Sequence, residues 1–292
     1  MRYKVLVRSD YKYTAPVRFA RHAFRLLPRR SPTQRVLSAA LTVEPTPYQR
    51  NEVQDFFGNR VVQVALEERH SLLTIRMDAE IEVSSVVPTD IERSPTWEAV
   101  REEAVDSSNF GASGPAHFLH PGSHTGTSDE LAAFAREHLR PGRPLLAAAF
   151  DLTCAIHRDF DYAPGSTDVD TTAAQGLRLR RGVCQDFSHI MLAALRALGL
   201  PAAYVSGFLR TRPPPGQERL EGADAMHAWV SVWLGAELGW VDMDPTNAIL
   251  VGEDHIKVAV GREYADVAPI DGVIVGSGEQ SHDVAVDVVP LD

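Results

Sequence analysis

The sequence predicts an α+β protein, built as a β-rich N-terminal domain over residues 1–87, a connecting segment over 88–127 and a second domain over 128–292. Three observations predict it. The first 85 or so residues hold short β-branched runs separated by turn residues, and the middle of the chain turns to Pro, Gly, Ser and scattered His. The remainder reads as helices first and antiparallel strands afterwards. With 292 residues, 44% of them hydrophobic and 23% charged, the chain has material for one large or two ordinary cores, which excludes disorder throughout.

Each element follows from its residues. Tyr3–Arg8 and Val61–Leu66 are rich in β-branched residues, and Leu72–Val83 alternates loosely; Pro45-Thr46-Pro47 and Phe57-Gly58-Asn59 supply turns. Ser128-Asp129-Glu130 opens a helix over Leu131–Leu139, with acids where a helix N-terminus favours them, and Pro141-Gly142 stops it. A second helix is expected from Pro144 to about His157. A third runs from Cys184 through Leu198 and ends at Gly199, with Pro201 beyond. Strands are expected over Ala202–Leu209, Ala225–Leu234 and Gly239–Asp244, the first two flanking a loop that contains Pro213-Pro214-Pro215-Gly216.

Composition narrows the function classes. The longest apolar region, Pro144–Ile156, is interrupted by Asp151 and too short to cross a bilayer, and Val5-Leu6-Val7 is too short for a signal peptide. A cytoplasmic protein without a membrane partner is expected. The net charge of −10 is uneven: residues 1–40 hold ten Lys/Arg against Asp10, while residues 242–292 hold eleven acids against Lys257 and Arg262. The basic residues Arg18, Arg21, Arg25, Arg29 and Arg30 are interleaved with apolar ones, which argues for solvated surfaces and against nucleic acid. Two cysteines, Cys154 and Cys184, make neither a disulfide framework nor a Cys-only metal site. His117, His120 and His124 share a loop, but no carboxylate or cysteine there completes a zinc set, so no metal is expected.

Three segments fit one chemical site. Gly182-Val183-Cys184-Gln185-Asp186-Phe187 puts a cysteine in the first turn of a helix, where unpaired amides and the helix dipole favour negative charge on sulfur and face a developing oxyanion. Met226-His227-Ala228-Trp229 puts a histidine on a strand, and Trp240-Val241-Asp242-Met243-Asp244 puts carboxylates on the next. A thiolate needs a proton acceptor, and the acceptor needs an orienting carboxylate. If the hairpin closes so that Trp233 faces Trp240, then Asp244 lies opposite Trp229 and diagonal to His227, within bridging distance. Asp242 then lies about 13 Å from the histidine's partner position. That register selects Asp244. Cys154, among Leu152, Ala155 and Ile156, reads as a buried, unreactive core thiol. His189 reads as packing, Asp186 as a brace of the helix start, and Tyr162, beside Phe160, as core rather than an oxyanion donor.

Cys184 in GVCQDF, His227 in HAWVSVW and Asp244 in GWVDMDPTN resemble the three blocks of the bacterial transglutaminase-like superfamily, in its cysteine-protease branch. Residues 1–85 (PVRFARHAFRLLPR, DFFGNR) resemble the family's β-rich N-terminal domain, and HIKVAVGREYADVAP (255–269) its C-terminal segment. Ser231 stands where an acidic residue is common. The resemblance implies a papain-like transglutaminase core, in which the helix bearing the cysteine packs on an antiparallel sheet. It implies Cys184 as nucleophile, His227 as general base then acid and Asp244 as orienter, with no cofactor and a peptide or carboxamide substrate. Gln185 and Trp229 are the expected substrate-binding residues, with Trp229 shielding the histidine from water. Hydrolysis is favoured over amine transfer, because the sequence shows no dedicated acceptor site; a true transglutaminase and a non-catalytic scaffold are the alternatives.

Overall fold

The computed structural model describes residues 1–85, 87–88, 90–212, 222 and 224–291. The Pro213–Gly216 stretch of the loop expected before the second core strand lies outside them. Six strands open the chain: β1 (Arg2–Val17), β2 (Phe19–Phe24), β3 (Gln34–Glu44), β4 (Gln49–Gln54), β5 (Arg60–Leu66) and β6 (His70–Val83). Then come α1 (Trp97–Asp106), a 3-10 turn at Pro115–Phe118, α2 (Asp129–His138), α3 (Leu145–Asp159), β7 (Asp161–Tyr162), α4 (Ala173–Leu179), β8 (Arg181–Gly182) and α5 (Cys184–Arg196). The chain ends through β9 (Ala202–Leu209), β10 (Ala225–Trp233), β11 (Trp240–Asp244), β12 (Ile249–Leu250), β13 (His255–Gly261), α6 (Tyr264–Val267), β14 (Ile270–Val275) and β15 (Gln280–Leu291).

Alternation builds the β-rich domain. Along β1, Tyr3, Val5, Val7 and Ser9 turn inward while Arg2, Lys4, Leu6 and Arg8 face out, the period-two pattern of a half-buried strand. The outward bases meet acids on β6, with Arg2 against Glu80, Lys4 against Asp78 and Arg35 of β3 against Glu82. Much of the basic N-terminal charge is thus spread over exposed cross-strand pairs, each a small contribution to stability. The domain has two antiparallel four-stranded sheets, ordered β15-β1-β6-β3 and β14-β2-β5-β4.

Both sheets take an edge strand from the far end of the chain. β15 pairs with β1 from Arg2↔Leu291 to Tyr13↔Gln280, and β14 pairs with β2 from Ile270↔Phe24 to Val275↔Phe19. The expectation of a second core with a C-terminal extension over 128–292 is thus corrected for residues 270–291, which complete the sheets of the first domain. Only the unpaired edges of β1 and β2 decide where these residues go. The connecting segment is also more structured than its composition suggests: Thr96 caps α1, which buries Val100 and Ala104.

The second domain is a five-stranded antiparallel sheet, β12-β11-β10-β9-β13, with helices packed on it. Ser128 accepts the Leu131 amide at 3.3 Å to start α2, and Thr172 with Gln175 forms a capping box on α4. α5 is the central element, buried at every residue from Asp186 to Arg196, and it packs against β9, β10, α2 and α4. Its Ile190, Met191, Leu192 and Leu195 are fully enclosed, worth about 1.5–3 kcal/mol each. No helix among the described residues is long and apolar enough to cross a membrane.

Candidate active site

Cys184 is the first residue of α5 and is half-buried. Val183 before it has no side-chain oxygen to cap the helix. Asp186 curls back instead, accepting the Val183 amide at 2.8 Å and the Thr167 hydroxyl at 2.7 Å. Burial pushes the Asp186 carboxyl up, and these donors partly offset it. A Cβ at position 182 would meet the Asp186 carboxylate at 2.6 Å, so glycine is what lets the carboxylate tuck under the chain just before the cysteine.

The β10–β11 hairpin pairs Trp233 with Trp240, Ser231 with Asp242 and Val230 with Met243, the register expected from the sequence. Asp244 is fully buried and its Oδ2 accepts His227 Nε2 at 2.8 Å. The Cys184 thiol is near enough to the same imidazole to raise its proton affinity; with Nε2 taken by Asp244, Nδ1 is the nitrogen left for sulfur. Asp242 takes a separate set of partners. It accepts Trp229 Nε1 at 2.9 Å and Ser231 Oγ at 2.6 Å, and pairs with Lys257 Nζ at 2.7 Å.

Two further groups converge on Asp244. His255, on β13, places Nε2 3.0 Å from Oδ2, and Asn247 donates Nδ2–H to that oxygen at 2.6 Å. Oδ1 accepts the amides of Thr246 and Asn247 at 2.8 and 3.2 Å. Burial alone would raise the Asp244 carboxyl, but the bonds from His227 and His255 hold it well below the usual carboxylate range. Burial would likewise depress His227; the hydrogen bonds to Asp244 and Cys184 overcome it and push the imidazole up to about 10. His227, Asp244 and His255 are the one group of potential metal ligands among the described residues. Both imidazoles sit at hydrogen-bond distance from the same oxygen, Oδ2. The arrangement is a hydrogen-bonded carboxylate, suited to orienting an imidazole.

The other expectations fare differently. Trp229 is fully buried and bonded to Asp242, so it does not reach a substrate; this corrects its assignment as a substrate-binding residue. The large apolar ring reaches over Gly207 of β9, where a Cβ would meet it at 2.4 Å, and it packs against both His227 and His255. Gln185 donates to the Val169 carbonyl at 3.2 Å, beside the cysteine. Tyr162 is 57% exposed rather than core, and its phenol is pushed up by burial of part of the ring and by the Cys184 charge, which places it in the field of the thiol. His189 is buried, accepts the Tyr264 amide at 3.2 Å, and is depressed to about 3 by burial. His117 and His124 part company, His117 bonding the Phe110 carbonyl and His124 stacking on His189. Cys154 is half-buried rather than enclosed, and its thiol is pushed up by burial and then by Asp151. Sequence reasoning misses His255 and Asn247. Asn247 belongs to the GWVDMDPTN block, three residues past Asp244; His255 has no local signal beyond opening a strand-like HIKVAV.

A cysteine at a helix N-terminus, a histidine and a buried aspartate on a sheet lie together in an α+β protein. Residues 3–82 match the bacterial transglutaminase-like N-terminal region, and residues 132–245 match the transglutaminase-like superfamily core. The chain belongs to the transglutaminase-like superfamily. An uncharacterized protein of Mycobacterium tuberculosis is 40% identical over 298 residues, covering 100% of this chain and 93% of that one. The crystal structure of "a Putative Cysteine Protease from Cytophaga hutchinsonii" superposes with a TM-score of 0.75 at 23% identity, over 100% of this chain and 92% of the other, and shares the fold. A protein-glutamine gamma-glutamyltransferase of Pseudomonas aeruginosa is 34% identical over 96 residues, covering 32% of this chain and 14% of that one.

Proposed function

We propose that the protein is a cysteine-dependent acyl-transfer enzyme acting on peptide or carboxamide bonds, and that hydrolysis is its main outcome. One observation carries the reading: a buried imidazole, His227, bonded to Asp244 through Nε2 and raised in proton affinity by both Asp244 and the nearby Cys184. Its raised proton affinity favours a thiolate–imidazolium pair at rest. Cys184 Sγ attacks the carbonyl carbon to form a C–S bond, and the first-turn amides of α5 receive the developing oxyanion. His227 gives its proton to the leaving nitrogen as the C–N bond breaks, leaving a thioester. Water then attacks the thioester, His227 takes the water's proton, and the acid leaves as the thiolate–imidazolium pair is restored.

Transfer to a second amine uses the same thioester, and the acidic balance of the chain attracts cationic amines only weakly once screened by salt. The test is partition. With an acyl donor and rising concentrations of a primary amine, free acid should exceed amide by mass spectrometry, and both should vanish with Cys184→Ala. Amide dominating at low millimolar amine would make the protein a true transglutaminase.

A further inference from the structure

We propose that His255 is a second positioning residue of this site, sharing the Asp244 carboxylate with His227 and setting how tightly that carboxylate holds the imidazolium. The inference rests on the acyl-transfer reading above. Both imidazoles place Nε2 on the same oxygen, His227 at 2.8 Å and His255 at 3.0 Å. A carboxylate only accepts, so both nitrogens donate. The other nitrogen of His255, Nδ1, is buried with no partner among the described residues, so a proton there would have no acceptor and the ring carries its proton on Nε2. The His255 side chain is 1% exposed, and among the described residues its hydrogen-bond partner is Asp244 rather than a set of surface contacts.

The ring is held from two directions. Trp229 packs edge-on against it at 5.2 Å between centroids, and Trp229 is itself fixed by Asp242. The strand under His255 is gripped by the N-terminal domain. Gln34 donates to the Lys257 carbonyl at 2.7 Å and accepts the Lys257 amide at 2.8 Å. Asn59 does the same for Val260, at 2.8 Å in each direction. Two side-chain amides thus act as a substitute strand along the outer edge of β13. The β-rich domain thereby acquires a part in the chemistry, since it fixes the strand that delivers the second imidazole.

The chemical need lies in the double duty of His227, which must keep a proton while sulfur attacks and then surrender it to the leaving nitrogen. A carboxylate with a single donor would hold the imidazolium more tightly, and each further donor disperses its charge. His227 is faced by Cys184 from α5, Asp244 from β11 and His255 from β13; beyond Trp229, Asp242 and Lys257 neutralise each other. His255 exchanges no proton in this scheme.

The test uses the full chain and the alkylation rate of Cys184 by iodoacetamide, followed by peptide mapping across the pH range, so it needs no substrate. Wild type should show two steps, formation of the thiolate–imidazolium pair at low pH and loss of the imidazolium proton at high pH. His255→Phe keeps a ring but no donor, and should move the upper step up by roughly half a pH unit or more. His255→Gln, whose amide reaches to the same place, should return it to the wild-type position. If the Phe variant does not fold, His255→Leu supplies the same comparison. An upper step unmoved by the apolar variant, or moved equally by the apolar and Gln variants, overturns the role of His255. A wild-type profile with a single thiol titration overturns the acyl-transfer reading itself, and the inference with it.

Discussion

Replacing Asp244 with asparagine removes one charge and leaves the shape almost unchanged, so its effect isolates what the carboxylate does. Oδ2 accepts three donors (His227, His255 and Asn247), and Oδ1 accepts two backbone amides. An amide has one oxygen, so whichever way it is turned, an NH2 group faces donors. His227 is lifted from 6.5 to about 10 against the opposing effect of burial. A displacement of that size corresponds to roughly 5 kcal/mol of preference for the imidazolium. Hydrogen bonding to Asp244 leads the favourable causes, ahead of Cys184. Losing its charge should therefore remove on the order of 2–3 kcal/mol, about a hundredfold in the population of the ion pair. Misoriented tautomers add to this, so turnover should fall roughly 10²- to 10⁴-fold. The assay is ester hydrolysis together with Cys184 alkylation near neutral pH, with folding checked by circular dichroism. Asp242→Asn is the control. Its partners are Trp229, Ser231 and Lys257, so it should lose stability while keeping turnover within about tenfold. A folded Asp244→Asn within about threefold of wild type, or equal losses in the two variants, would mean that the Asp244 charge does not hold the imidazolium.

Glu263 accepts the amides of Ser123, His124 and Thr125 and the hydroxyls of Ser123 and Thr125, which tie the loop before α2 to the segment after β13. Glu263→Gln should cost about 2–4 kcal/mol at neutral pH, read as a lowered Tm. Burial would raise the Glu263 carboxyl, but the Ser123, His124 and Thr125 donors hold it at about 2 against 4.5, so its contribution is complete above about pH 5 and fades as pH falls toward 2. The Tm gap between wild type and variant should narrow over that window, and a gap constant with pH would contradict the assignment. Gly207→Ala would place a Cβ 2.2 Å from the Ile256 carbonyl oxygen and 2.4 Å from the Trp229 ring. It should lose about 2–4 kcal/mol in urea unfolding, and a loss under 0.5 kcal/mol would show that the ring and β13 move aside freely.

The core elements are legible in the sequence where local signals are strong. β9 matches its expected bounds, and α5 begins at the cysteine where the GVCQDF turn puts it. The hairpin register follows from a short loop and period-two side chains, which is why the residues alone select Asp244 over Asp242. What escapes is non-local or weakly patterned. β3 carries Ser38 and a register shift, and β4 is exposed at every residue, so neither shows clean alternation. β14 and β15 carry no strand expectation from the sequence, and their partners lie more than 240 residues away in it. His255 is invisible as a site residue for the same reason, because a histidine opening an alternating strand announces its face and not what lies across the sheet. Trp229 is placed correctly on the histidine's strand but assigned to substrate, since its burial depends on the space that Gly207 leaves on β9.

The proposed chemistry requires that Cys184 form a thioester through His227. Incubating the full chain with p-nitrophenyl acetate near pH 7 and mapping its peptides by mass spectrometry tests this directly, without knowledge of the natural substrate. One acetyl group is expected on the Cys184 peptide, removed by hydroxylamine and strongly diminished in His227→Ala, with Cys154 far less modified because burial and Asp151 push its thiol up. Acetylation of Cys154 before Cys184, or labelling of Cys184 that is indifferent to His227, would contradict it.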